Sequence, residues 1–174
     1  FYPASCSEFN QLFGQAYDND YLKVYRIPEK QHGEDIDPFK IKIGEAIKII
    51  DGKDLTIVST GPQLRNAIDA RRELSLKGWN AEILYVHTIH PLDTTLIRSS
   101  VEKTKRVLVV EEHNRFGGLG NDILCNLYDI RDLQFSSIAI KSFIHDYGTY
   151  EEHCLNLGLS VEGIVNAVQR DMTK

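Results

Sequence analysis

Residues 109–122, VVEEHNRFGGLGND, carry the densest set of chemically capable side chains in the sequence. Two valines close an apolar run, Glu111, Glu112 and His113 follow at once, and a glycine cluster then leads into a stretch of helical pattern. A histidine beside carboxylates can form a general acid–base pair whose pKa the neighbour tunes. Adjacent residues at a strand end point in different directions, so spacing alone does not make these three a constellation. The competing expectation is a carboxylate that caps a nearby helix, or a group that pairs at an interface. The GGLGND segment poses the same choice. Glycines before a helix can cradle a phosphate on backbone N–H groups. The dinucleotide fingerprint, however, needs G-x-G-x-x-G directly after a strand. Here EHNRF intervenes after Glu111, the spacing is G-G-x-G, no lysine completes a P-loop, and Asp122 brings negative charge. The glycines are therefore expected to permit close packing of helix and strand.

Other candidates are sparser. His87 and His90 stand three apart beside Pro91, as two metal ligands would, yet no acidic or cysteine partner lies at ligand spacing. No metal site is expected. His145 and His153 are lone residues of ordinary polar placement. No G-x-S-x-G elbow is present, and no cysteine sits in a nucleophile context. Cys6, Cys125 and Cys154 are odd in number and widely spaced, which argues against a disulfide framework and a C-x-x-C metal site. Arg26 ends the apolar, aromatic run YLKVYRI just before Pro28. An arginine so placed can clamp an anion through two parallel hydrogen bonds, or it can form an ordinary surface ion pair.

These residues need elements to position them. SCSEFNQLFGQAYDN predicts a helix, with Ser5 and Glu8 as a capping box and Phe9, Leu12, Phe13 and Ala16 on one face. YLKVYRI (21–27) alternates as a strand does. Residues 28–38, PEKQHGEDIDP, have the composition of a linker. KIKIGEAIKII (40–50) runs into DGKD and predicts an edge hairpin. Short apolar strands then alternate with helices: strands at 55–60, 81–88, 106–110 and 136–140, and helices over GPQLRNAIDARRELSLKG, TTLIRSSVEKT and about 119–129. Thr149 and Glu152 open a further helix with a second capping box, and Ser160 caps the last. The expected fold is α/β, three layers with a mostly parallel sheet of roughly five strands between helices. In such a sheet functional groups gather at the carboxyl ends of the strands. Those ends carry Ser59-Thr60-Gly61, His87 to His90, Glu111 to His113, and the stretch leading to His145.

The bulk numbers set bounds. With 42% hydrophobic and 26% charged residues the chain should be globular. A net charge of −5, with no basic run, offers no field to draw nucleic acid or an anionic membrane. No apolar run approaches the ~20 residues of a membrane span. No secretory signal opens the chain, and reduced cysteines suit a cytoplasmic location. One helix and one strand before the linker are too little to fold alone, so residues 1–27 read as the tail of an upstream domain and the chain as a fragment or processed product.

KIGEAIKIIDGKDLTIVSTG, ARRELSLKGWNAEILYVHTIHPLD, TKRVLVVEEHNRFGGLGNDI and YGTYEEHCLNLGLSVEGIVNAV follow one another over residues 40–172. Together they give the chain a pattern that resembles the C-terminal region of the transketolase family of thiamine-diphosphate enzymes. The resemblance divides the chain into residues 1–30, the tail of a pyrimidine-binding domain, a linker at 31–38, and a C-terminal domain at 39–174. It implies a transferase that moves a two-carbon ketol unit between sugar phosphates, with thiamine diphosphate and Mg in the complete enzyme. The family's G-D-G…N motif and its pyrimidine-activating glutamate have no match here, so no cofactor is expected to bind this chain alone and no catalytic residue is expected in it. Arg26, in RIP, matches the family arginine that helps hold the substrate phosphate. Glu111, Glu112 and His113 are expected to serve an interface. The implied partners are the missing N-terminal domains or subunit, a second copy in a homodimer, and sugar phosphates. Deoxyxylulose-phosphate synthases and 2-oxoacid dehydrogenase beta subunits share the architecture. A non-catalytic interaction module is the alternative of another class.

Overall fold

The computed structural model describes residues 1–173. Its centre is a five-stranded sheet: β1 (Ile47–Ile50), β2 (Leu55–Ser59), β3 (Ala81–Tyr85), β4 (Arg106–Asn114) and β5 (Gln134–Ile140), in the order β1-β3-β2-β4-β5. β2, β3, β4 and β5 run parallel to one another, and β1 runs antiparallel to β3. The helices are α1 (Cys6–Ala16), α2 (Gln63–Leu76), α3 (Thr94–Thr104), α4 (Leu119–Leu127), α5 (Tyr150–Leu157) and α6 (Val161–Asp171).

Strand alternation sends side chains to two separate cores. Ile57, Leu108 and Val110 pack on one face with Leu64, Ala67 and Leu74 of α2 and with Ile164 and Val168 of α6. Val58, Val107 and Val109 pack on the other with Ile97 and Val101 of α3 and Ile123 and Leu127 of α4. Both faces are covered, which is why the strands read as continuous apolar runs. The expected three-layer, mostly parallel fold is the one observed.

Caps set the helix starts. Asp93 accepts from the Leu96 N–H at 3.0 Å, Ser160 from the Gly163 N–H at 3.2 Å, and Thr149 with Glu152 closes a full capping box on α5. At α1 only half of the expected box forms. Ser5 accepts from the Glu8 N–H at 3.2 Å, but the Glu8 carboxylate turns inward. It accepts from the Ala4 N–H and from Tyr85 Oη, each at 2.8 Å, and pairs with His32 Nε2. Burial pushes the Glu8 carboxyl up, but the donors of His32, Ala4 and Tyr85 outweigh it and the net shift is downward. This buried cluster and Leu12, which joins the first core, fasten the N-terminal segment to the sheet.

Two sequence expectations fail. YLKVYRI forms no strand: residues 22–28 have no regular structure, and Tyr21, Leu22, Val24 and Ile27 are exposed. A strand needs a ladder partner, and among the described residues this segment's backbone pairs with residue 1, whose amine donates to the Val24 carbonyl and whose carbonyl accepts from the Arg26 N–H. The edge hairpin is also absent. β2 is central, with β3 and β4 on its two sides, so β1 takes the free edge of β3. The DGKD turn instead carries the chain past β3, with the Lys53 and Asp54 N–H groups donating to the Asn80 carbonyl at 3.0 Å.

Candidate functional site

The direction of winding reverses at β2. The chain goes from β2 to β3 on one side and then crosses to β4 on the other. Ligands in open parallel sheets bind beyond the carboxyl ends of the strands at such a switch point. A cavity of about 260 Å³ lies there. Thr60 lines it from the end of β2, Glu111, Glu112 and His113 from β4, Gly117 to Leu119 from the start of α4, and Phe1, Tyr2 and Arg26 from the N-terminal segment. Arg26, His90, Glu111 to His113 and the start of GGLG, all singled out in the sequence, thus meet in one place, while His87, His145 and His153 do not line it.

β4 runs four residues beyond its expected end, so Glu111 to His113 are strand residues with three different environments. Glu111 is 1% exposed. Its two carboxylate oxygens accept from the Leu119 N–H at 2.7 Å and the Gly120 N–H at 2.8 Å, capping α4. Burial raises its pKa, against the pull of those two N–H groups. A Cβ at position 118 would lie 2.5 Å from Glu111 Oε2, and one at 120 would lie 3.1 Å from Oε1. The glycines therefore make room for a carboxylate of the chain itself. At the start of α4 the Leu119 and Gly120 N–H groups are thus already taken by Glu111.

Glu112 faces the other way and collects donors from three elements. Tyr2 Oη donates at 2.8 Å, Gln63 Nε2 of α2 at 2.9 Å, and Tyr150 Oη of α5 also donates. Burial first, and then the Glu112 carboxylate, push the Tyr2 and Tyr150 hydroxyls well above the ordinary tyrosine range. Gly61 lets this happen: its φ is +60°, and a Cβ there would sit 2.5 Å from the Tyr2 ring. His113 is exposed.

Arg26 stands at the mouth of the cavity. Its Nη1 donates to the Glu112 carbonyl, its Nη2 lies 3.9 Å from Glu112 Oε2, and its guanidinium lies 4.4 Å from the centre of the Tyr2 ring. Its side chain is 46% exposed.

His87 and His90 do not converge. His87 is buried, with Nδ1 3.0 Å from Thr88 Oγ1 and no hydrogen-bond partner for Nε2 among the described residues, and burial lowers its pKa to about 4. His90 is exposed and pairs with Asp122 at 3.4 Å. His145 lies outside the cavity and packs on Phe143, with ring centres 5.0 Å apart. Among the described residues no three histidines, cysteines or carboxylates gather as metal ligands, and no helix is long and apolar enough to cross a membrane.

Sequence reasoning missed Tyr2, Gln63 and Tyr150. Gln63 opens α2 directly after the β2 carboxyl end, and that position was the one available clue.

The same architecture recurs among known proteins. The sequence model of the family described as "Transketolase, C-terminal domain" matches residues 44–164. One of the subunits of the apulose-4-phosphate transketolase of Phocaeicola vulgatus is 34% identical over 147 residues, covering 83% of this chain and 46% of that protein. The 1-deoxy-D-xylulose-5-phosphate synthase of Halothermothrix orenii is 32% identical over 151 residues, covering 84% of this chain and 24% of that protein. A solved structure titled "Split gene transketolase, inactive beta4 tetramer" superposes with a TM-score of 0.89 at 24% identity, over 99% of this chain and 57% of the other. The chain thus spans about half, or less, of the relatives it matches.

Proposed function

This chain belongs to the transketolase family through its C-terminal domain, and from that premise we propose that it is the C-terminal portion of a thiamine-diphosphate enzyme that transfers a two-carbon ketol unit between sugar phosphates. Residues 1–30 are read as the tail of the pyrimidine-binding domain, 31–38 as the linker and 39–174 as the C-terminal domain. The cofactor and Mg bind elsewhere in the complete, cytoplasmic enzyme, where thiamine diphosphate supplies the carbanion chemistry. In this reading the chain contributes assembly and one substrate contact, and it is inactive alone.

The observation that carries the proposal is Arg26. It is a half-exposed guanidinium at the sheet's switch point, held against Glu112 and the Tyr2 ring at the mouth of a cavity. A planar fork so held suits a sugar phosphate. Glu111 and Glu112 serve internal joints, α4 and the N-terminal segment respectively. With His113 exposed beside them, this face is the proposed interface with the rest of the enzyme and, across a homodimer, with a second copy. The names of the relatives support a transketolase component as well as a deoxyxylulose-phosphate synthase, so the donor must be tested.

The test compares this chain alone with the complete enzyme, both supplied with thiamine diphosphate and Mg. Two-carbon transfer from a ketose phosphate to an aldose phosphate is expected from the complete enzyme only. Turnover by the isolated chain sinks the assembly reading. Consumption of pyruvate in place of the ketose selects the synthase or 2-oxoacid dehydrogenase reading, and no turnover from any donor leaves the interaction module.

A further inference from the structure

We infer that Glu112 is a positioning residue for Arg26, and that it sets how well the site tells a phosphorylated sugar from its unphosphorylated form. The inference rests on the phosphate-holding reading of Arg26 given above.

Arg26 lies on a segment without regular structure, where a long side chain is free to sample many rotamers. Its fixed geometry is supplied from outside. Glu112 takes the Nη1 donor on its backbone carbonyl and faces Nη2 with its carboxylate. The same carboxylate takes the Tyr2 hydroxyl at 2.8 Å, and Tyr2 is the ring beneath the guanidinium. One residue therefore serves both: its backbone carbonyl takes the fork, and its carboxylate takes the hydroxyl of the floor and stands 3.9 Å from the fork's second nitrogen. Glu112 is in turn held by Gln63 and Tyr150, which belong to helices packed on the sheet, so the frame is rigid. Its side chain is only 11% exposed, against 46% for Arg26. The anchor is covered and the clamp is presented.

Electrostatics alone argues the opposite effect. A carboxylate beside Arg26 repels an incoming phosphate, so neutralising it should tighten binding if charge were its whole role. Glu112→Gln separates the two. Glutamine is nearly isosteric, but it keeps one acceptor oxygen where the carboxylate has two, and its NH2 then faces donors that an oxygen used to accept, so the frame loosens while the repulsion disappears.

The experiment uses the complete enzyme with a ketose phosphate and the same ketose lacking its phosphate. Inorganic phosphate serves as a competing probe. For Glu112→Gln, the KM for the phosphorylated sugar and the inhibition constant of phosphate are expected to rise about tenfold, the scale of one charge-assisted contact. The KM for the unphosphorylated sugar should rise several-fold less than that for the phosphorylated one, and any change in kcat should be shared by both sugars. Tyr2→Phe keeps the ring and releases the carboxylate, and a rise of about threefold is expected. It carries the test if the glutamine variant does not fold. A lower KM for the phosphorylated sugar, or equal changes for both sugars, overturns the inference. Arg26→Ala is the reference. If it leaves discrimination intact, the reading of Arg26 fails. If it abolishes discrimination while Glu112→Gln and Tyr2→Phe do not change it, only the positioning inference fails.

Discussion

The glycines of GGLG owe their place to Glu111, and a mutant cycle measures this. In Gly118→Ala the new Cβ would stand 2.5 Å from Glu111 Oε2 and 2.6 Å from the Asn114 carbonyl. The backbone there, φ −92° and ψ −178°, is ordinary for any residue, so space is the only obstacle. Overpacking of this kind costs roughly 1–3 kcal/mol, offset by the few tenths that alanine takes from the unfolded chain. A net loss of about 1–2 kcal/mol is expected. Gly120→Ala meets Glu111 Oε1 at 3.1 Å and Ser137 Cβ at 3.3 Å, which small shifts relieve. Helix propensity returns about 0.5–1 kcal/mol there, so the net change is near zero. Glu111→Ala leaves the Leu119 and Gly120 N–H groups without their acceptor, at about 1–3 kcal/mol for each buried donor that water does not reach. In that background the cost of Gly118→Ala should fall by about half, because one of its two clashes is gone and the Asn114 carbonyl remains. Equilibrium urea unfolding of the four proteins reads the cycle. A neutral Gly118→Ala, or a cost that stays the same without Glu111, would mean that the carboxylate does not dictate the glycine.

Other outcomes follow from the same structure. His87, pushed to about 4 in the folded state against an ordinary 6.5, is neutral when folded and takes up a proton more readily when unfolded. Its contribution is therefore complete above pH 6.5 and is lost as pH falls toward 4, by about 3 kcal/mol at 1.36 kcal/mol per unit; unfolding from pH 7 to 5 should show the slope, and His87→Leu should flatten it. Thr149→Ala removes an intact capping box and should cost about 1 kcal/mol, fraying α5 first in hydrogen exchange. Leu64→Ala empties a fully buried position between α2 and the sheet and should cost about 2–5 kcal/mol in the same unfolding assay.

What was legible in the sequence was what local chemistry determines. Continuous apolar strands, Ser, Thr and Asp caps and regular alternation fix the order of elements, because each depends on near neighbours. The strand at 21–27 failed because its alternation was real but no ladder partner for it lies among the described residues, and a sequence does not display pairing. The hairpin failed for a related reason: DGKD is a good turn, but the centrality of β2 follows from all the strands together. At the site, Arg26 and the EEH run stood out by residue type. Tyr2, Gln63 and Tyr150 did not, since each is an ordinary residue made important by meeting Glu112 across 110, 49 and 38 positions. Glu8 shows the same limit, because its capping-box spacing was genuine, but His32 and Tyr85 claim its carboxylate.

A part in ketol transfer is best tested by following carbon. The complete enzyme is given thiamine diphosphate, Mg, a ketose phosphate labelled with carbon-13 at its first two carbons and an unlabelled aldose phosphate. Both labelled carbons are expected to appear together in a ketose two carbons longer than the acceptor. Label that remains in the donor, while labelled pyruvate supplied to the same enzyme loses its carboxyl carbon as carbon dioxide, contradicts a role in ketol transfer.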